Sequence, residues 1–314
     1  MGTWAIGGGD WVLGWGPQDT AQSVATIRRA LDIGINWIDT AAVFGLGHAE
    51  HVIATALRHV REPDRPYLFT RCGLVWDELG NVIHDLGATS IRRQAEASLR
   101  RLRVDRIDLY QIGWPSWPTT LPNVAGSLEE AWETMAALQQ EGKVRAIGLS
   151  CSRVDAIARL QRIAAVTSVS APYSLIRREI EQRLGPSCRD GGLLACSTLG
   201  AGLLTGTMTA DRVARLPHND WRRRHEFFRE MALSRISKLV DRLREIAARY
   251  GQTPAVIAMA WALDRRDVTA AIVGARRPTQ IDQLVQAAAL KLTPSDLATL
   301  ARPLQCGASV AVLH

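Results

Sequence analysis

The sequence predicts an α/β fold, a single (β/α)8 barrel domain over residues 1–314. Two observations carry this expectation. Short apolar runs alternate with amphipathic helical stretches from one end of the chain to the other, the pattern of a parallel sheet covered by helices. The apolar runs number eight, and an alternating barrel commonly fills roughly 250 residues or more as one domain. The composition, 47% hydrophobic and 22% charged, is that of a globular protein, and a chain of this length buries about three quarters of its unfolded surface. No disulfide or metal staple is required.

Residues 3–6, 37–39, 67–70, 107–112, 144–150, 166–170, 192–197 and 270–273 read as the eight strands. Between them, 20–33 places Val24, Ile27 and Leu31 at helical spacing, and 88–102 does the same with Ile91, Ala95, Leu99 and Leu102 behind an N-cap at Thr89 or Ser90. Helices are expected likewise over 126–140, 154–163, 234–250, 254–263 and 278–289, with Gly142 and Gly251 as stops and Pro254 and Pro278 as starts. No repeat or low-complexity segment interrupts the pattern. Residues 206–230 are too long for an ordinary connection and rich in Arg, His and Asp, which marks a functional or mobile loop. The first strand starts almost at Met1, so either the coding sequence begins upstream or another surface, such as a second copy in a homo-oligomer, covers that end of the barrel.

Composition also limits the partners. Cys72, Cys151, Cys188, Cys196 and Cys306 form no CxxC pair, and no histidines have zinc-like spacing, so a structural metal is not expected. No signal peptide and no apolar run of membrane-spanning length is present, and a cytoplasmic, reducing compartment is expected. The net charge is +7, but Lys143, Lys238 and Lys291 are the only lysines, so 35 of the 38 basic residues are arginine. That bias, together with abundant alanine, points to a GC-rich genome rather than to a nucleic-acid or membrane partner. The densest basic run, Arg222-Arg223-Arg224-His225, has no interleaved aromatics for base stacking and reads as a solvated loop.

Several motifs give the chain a family resemblance. They are 2–8 (GTWAIGG), 34–41 (GINWIDTA), 45–50 (GLGHAE), 72–76 (CGLVW), 148–150 (GLS), 172–175 (PYSL), 199–206 (LGAGLLTG) and 274–278 (GARRP). In this order and spacing they resemble the aldo-keto reductase superfamily nearly end to end. The resemblance implies a (β/α)8 barrel and hydride transfer from NADPH to a carbonyl. It also implies a catalytic tyrosine, lysine, aspartate and histidine at the C-terminal ends of the strands, where barrel enzymes keep their active sites.

Within that resemblance Asp39 matches the aspartate, whereas Phe44 stands for the tyrosine, Arg71 for the lysine and Gly113 for the histidine. Phe44 has no proton to give, and Arg71 cannot relay one, although it can pair bidentately with Asp39 and hold an anion. Asp39 and Arg71 are therefore the candidate catalytic residues. Trp4, Phe44, Trp76, Gly113 and Trp114 are the candidate substrate-binding cup, with barrel-mouth packing as the plainer alternative.

For NADP(H) the resemblance implies Ser150, Cys151, Cys196 and Ser197 at the nicotinamide and Leu199, Gly200 and Gly202 at the pyrophosphate, with Arg276 and Arg277 at the 2′-phosphate. Cys196 replaces the aromatic stacking residue and Cys151 the carboxamide-binding asparagine, while Gln283-Leu284 replace an acidic-amide pair at the adenine. Arg276 and Arg277 also read as a basic patch at a helix start. Cys151 and Cys196 read as small apolar residues rather than nucleophiles. His48 reads as a capping or packing residue, and Tyr110 as a packing residue within a strand.

Three readings stay open. One is an NADPH-linked reductase for a small substrate that needs no protein acid, an iminium for instance, with Arg71 holding a carboxylate; an altered centre in a GC-rich background fits bacterial secondary metabolism. The second is a non-redox lyase, dehydratase, cyclase or isomerase using Asp39 as base and Arg71 as anion holder, without nicotinamide. The third is a non-catalytic binding protein. Fold alone does not choose among them.

Overall fold

The computed structural model describes residues 1–9, 11–113, 123–150, 156–182 and 192–302. Seven parallel strands form one sheet in the order β1 (Trp37–Asp39), β2 (Tyr67–Cys72), β5 (Ile107–Gly113), β7 (Val144–Ser150), β8 (Ser168–Pro172), β9 (Gly192–Cys196) and β10 (Val268–Ala271). The sheet closes through the N-terminus. Gly2 bridges in parallel to Asp39 on one side and Gly274 on the other, with Gly2 N–H donating to the Val273 carbonyl at 2.8 Å and Thr3 N–H to the Asp39 carbonyl at 2.9 Å.

The eighth staves position is thus held by residues 1–3, not by 3–6 as the apolar run predicts. Trp4–Ile6 is a 3-10 turn, because Ile6 N–H donates to the Thr3 carbonyl and Gly7 N–H to the Trp4 carbonyl, which turns the chain away from the sheet.

Helices cover the outside: α1 (Thr20–Asp32), α2 (His48–Leu57), α3 (Ala88–Leu102), α4 (Leu128–Gln140), α5 (Ile157–Leu160), α6 (Ala210–Ala214), α7 (Glu230–Tyr250), α8 (Pro254–Leu263), α9 (Pro278–Leu284) and α10 (Pro294–Ala301). Pro254 and Pro278 open their helices as expected, and Gly251 ends α7 with φ of 60°. The cap expected at Thr89 or Ser90 is instead Gly87, and the Ser90 hydroxyl accepts from Gln94. The sequence pattern missed a second, three-stranded sheet of β3 (Leu74–Trp76), β4 (Val82–Asp85) and β6 (Asn123–Ala125). Its hairpin turns on Asp77, whose carboxylate accepts from Leu79 N–H and Asn81 N–H, both at 2.9 Å.

Side chains alternate across the barrel wall. Outward residues such as Tyr110, Ile112 and Ile147 pack under α3 and α4 with Trp132 and Met135. Inward ones include Leu109, Leu194 and Ile272, joined by Trp37, Phe69, Ala146 and Cys196. The last inward position of each strand therefore opens at the C-terminal mouth. Among the described residues no helix is long and apolar enough to cross a membrane, and no cluster of His, Cys, Asp and Glu is arranged to hold a metal ion.

Candidate active site

A cavity of about 1260 Å³ occupies the C-terminal mouth and runs along it from Asp39 and Arg71 to Arg276, Arg277 and Gln283. Its floor follows from the strand period. Asp39, Arg71, Gly113, Ser150 and Cys196 are the last inward-facing residues of β1, β2, β5, β7 and β9, and all line it. Asp39 is buried, and its carboxylate accepts from Arg71 Nη2 at 2.6 Å. Arg71 spreads its other nitrogens, Nη1 to the Thr40 carbonyl at 2.9 Å and Nε to the Ser150 hydroxyl at 3.0 Å. The pair expected to be bidentate is therefore a single contact within a three-way clasp, because Thr40 and Ser150 compete for the guanidinium. Burial raises the pKa of Asp39 above the ordinary carboxylate range, and Arg71 opposes that shift.

Gly113 belongs to this arrangement through the room it leaves. A Cβ there would meet the Cys72 carbonyl oxygen at 3.0 Å and the Arg71 side chain at 3.8 and 3.9 Å. Phe44 lies under Arg71, whose guanidinium stands 5.9 Å from its ring centre. Cys196 has its thiol pushed up to about 11, chiefly by burial, so it stays protonated at neutral pH.

Of the expected aromatic cup, Trp4 and Phe44 line the cavity, stacked at 6.2 Å. Trp76 does not. The turn at Gly73 (φ 96°) sends β3 into the small sheet, where the Trp76 ring packs beneath Arg101 at 5.8 Å. Trp114 and Cys151 lie outside the described residues. His48 opens α2 without making a side-chain cap, and Tyr110 is fully buried.

The roof comes from two loops that sequence reasoning did not assign to the site. Trp11, Leu13 and Trp15 come from the segment after the first turn, and Trp221, His225, Phe227 and Phe228 from the long 206–230 loop. Gly45 permits the first segment to lie close over Phe44: its φ is 63°, and a Cβ there would fall 1.8 Å from the Gly7 carbonyl oxygen. Trp15 and Asp220 form an antiparallel bridge. Trp4 stacks on Trp221 at 5.2 Å and meets Trp15 edge-on at 5.3 Å.

Arg222, expected in a solvated loop, is buried. It forks onto the Asp220 carboxylate at 2.9 and 2.6 Å and lies over the Trp15 ring at 4.5 Å. The carboxylate and the indole face together satisfy the charge that water would otherwise solvate. Arg223 and Arg224 stay exposed. His225 is buried against Trp221, Phe227 and Phe228, and its Nδ1 accepts from Phe227 N–H at 3.1 Å. Burial, and then the Arg177 charge, lower its pKa to about 4.

Between floor and far end, Ser197, Gly200, Ala201 and Gly202 all have positive φ, so 197–202 forms a tight cradle along the wall. The Thr198 hydroxyl in it is buried and lacks a hydrogen-bond partner among the described residues. At the far end Arg276 is half-buried and bonded to the 15–18 segment, while Arg277 is exposed.

Residues 1–303 match the aldo/keto reductase family model. The chain is 33% identical over 299 residues to the aldo-keto reductase YhdN of Bacillus subtilis, covering 94% of this chain and 86% of that protein. It is also 33% identical to the NADH-specific methylglyoxal reductase of Escherichia coli, covering 96% and 92%. Among solved structures, the glycerol dehydrogenase AKR11B4 of Gluconobacter oxydans superposes with a TM-score of 0.81 at 34% identity, over 96% of this chain and 89% of that one. The chain belongs to the aldo/keto reductase family.

Proposed function

We propose that the chain is an oxidoreductase that uses a nicotinamide dinucleotide, NADPH or NADH, on a small substrate that requires no protein acid. The observation that carries this reading is the continuity of the cavity. At about 1260 Å³ it exceeds the roughly 300–1,000 Å³ of a drug-sized ligand site, which leaves room for a dinucleotide and a substrate together. The residues fit such a group. The 197–202 cradle with its Thr198 hydroxyl, unpartnered among the described residues, would lie along the pyrophosphate, Ser150 and Cys196 would border the nicotinamide, and Arg277 would meet the adenosine end.

When bound, the dinucleotide supplies a hydride. The chain's own residues bind and orient. Arg71 uses three N–H groups on Asp39, Thr40 and Ser150, and the two that remain of a guanidinium's five can hold a carboxylate at the floor. Asp39 fixes Arg71 and balances its charge, so a cationic carbon is not repelled. Trp4, Phe44 and the roof aromatics exclude water. No floor residue donates a proton readily: Phe44 has none, and Cys196 holds its own at neutral pH. We infer that the tyrosine, lysine and histidine of the family's usual centre are replaced by Phe44, Arg71 and Gly113, and that the substrate is an iminium or a related carbon already activated by charge. The non-redox alternative gains less support, because Asp39, its proposed base, already accepts from Arg71 in a buried site.

The test is deuteride transfer from 4-deuterated NADPH and NADH to cyclic iminium, keto-acid and aldehyde substrates, read by product mass. Label should enter the iminium products. Aldehydes should lag by about 10² to 10⁴, the usual worth of general acid catalysis. Unlabelled products formed without dinucleotide would support the non-redox reading and contradict this one.

A further inference from the structure

We infer that Arg276 and Arg277 divide two tasks: Arg276 is the clasp that holds the 15–18 segment over the cavity, and Arg277 alone is left to meet a phosphate. The second half rests on the dinucleotide reading above; the first does not.

Arg276 is committed to one segment through all three of its side-chain nitrogens. Nε donates to Gln18 Oε1 at 2.5 Å, Nη1 to the Trp15 carbonyl at 3.3 Å, and Nη2 to the Pro17 carbonyl. Gln18 answers by donating Nε2 to the Arg276 carbonyl at 3.1 Å. Among the described residues no carboxylate forms an ion pair with Arg276, so its bonds are to neutral oxygens of this segment. The backbone amides that a phosphate could otherwise use are also taken: those of Arg276 and Arg277 both donate to Gln280 Oε1, at 2.8 and 3.1 Å.

The segment so held is the roof. Its Gly14 carbonyl accepts from Trp221 N–H at 2.9 Å, its Val12 carbonyl from Arg224 Nη2 at 2.7 Å, and its Trp15 ring lies beneath Arg222. Arg276 thus fixes one end of a strap whose other end is tied to the 220–225 turn. Arg277, next in sequence, is exposed and lines the same end of the cavity without a side-chain contact to 15–18 among the described residues.

The experiment combines hydrogen exchange on the ligand-free protein with calorimetry, using 5′-ADP and 2′,5′-ADP as probes. Arg276→Ala should speed exchange over 11–18 and weaken both probes by the same factor. Gln18→Ala, which leaves the charge of Arg276 in place, should also speed exchange and leave the ratio of the two affinities unchanged. Arg277→Ala should leave exchange unchanged and weaken 2′,5′-ADP about tenfold while sparing 5′-ADP. Selective loss of 2′,5′-ADP in Arg276→Ala with unaltered exchange would make Arg276 a phosphate reader and overturn the division. If neither probe binds the parent protein, the dinucleotide reading fails together with the task given to Arg277, and the exchange rates alone decide the clasp.

Discussion

Gly113 and Arg71 are packed side by side: a Cβ on Gly113 would touch Arg71 Cδ at 3.9 Å, an ordinary contact, and press on the Cys72 carbonyl oxygen at 3.0 Å. Arginine at one position and glycine at the other are thus neighbours in space. Gly113→His alone should destabilise the fold by about 1–3 kcal/mol, the usual cost of overpacking. Combined with Arg71→Lys, which gives a slimmer head group, the loss should be smaller than the sum of the two singles. A double-mutant cycle by denaturant unfolding measures this directly; strict additivity would show that the two side chains do not meet.

Asp39→Asn leaves the Arg71 guanidinium in a site where its side chain is only 11% exposed. Breaking a buried pair by removing one partner commonly costs about 3–5 kcal/mol, so the variant should melt well below the parent. Calorimetric melting of both proteins checks it. Equal melting temperatures would mean that Thr40 and Ser150 alone satisfy Arg71.

On the roof, Arg222→Ala strands the Asp220 carboxylate, which has no solvent exposure. The loss should be local rather than global, because the 217–225 turn is tied to the 12–15 segment through Val12, Gly14 and Trp15. Faster hydrogen exchange confined to 11–18 and 217–228, with Trp4 fluorescence red-shifted, is the expected pattern. Arg222→Ala combined with Asp220→Asn should recover much of it.

His225 carries the pH dependence of the roof. Its folded pKa is lowered to about 4 from an ordinary 6.5, so between those values the unfolded chain binds more protons than the folded one. Stability contributed by the neutral imidazole is therefore complete above pH 6.5 and is lost as pH falls toward 4. His225→Gln, which keeps an acceptor for Phe227 N–H, should flatten the stability profile over that window. An unchanged slope in urea titrations at several pH values would assign the dependence to another group.

The floor of the site was legible in the sequence through the family resemblance, which singled out its residues, and strand period gives the physical reason that they meet. Once β1, β2, β5, β7 and β9 are recognised, alternation carries Asp39, Arg71, Gly113, Ser150 and Cys196 to the same mouth. The Asp39–Arg71 contact follows from the adjacency of β1 and β2. The length of the 206–230 loop marked it as functional or mobile, but its place in the roof was not legible, because it rests on pairings such as Trp15 with Asp220, some 200 residues apart, for which no local pattern exists. The signal that could have raised it was two tryptophans, Trp11 and Trp15, in a glycine-rich stretch with little else to bury them. Trp76 failed for a related reason: a motif fixed its place in the chain, but a positive φ at Gly73 and the hairpin beyond it decided which way it faced. The N-terminal stave was off by two residues because the apolar run 3–6 continues past the sheet into a turn, and apolarity does not separate the two.

The cavity is proposed to take a nicotinamide dinucleotide above an acid-poor floor. Isothermal calorimetry of the purified protein with NADPH and with NADH, followed in parallel by tryptophan fluorescence, tests it most directly. Saturable binding of one dinucleotide per chain is expected, with quenching from the tryptophans that line the cavity. Absence of heat and of any fluorescence change with both nucleotides would contradict the claim and leave the barrel to chemistry without nicotinamide.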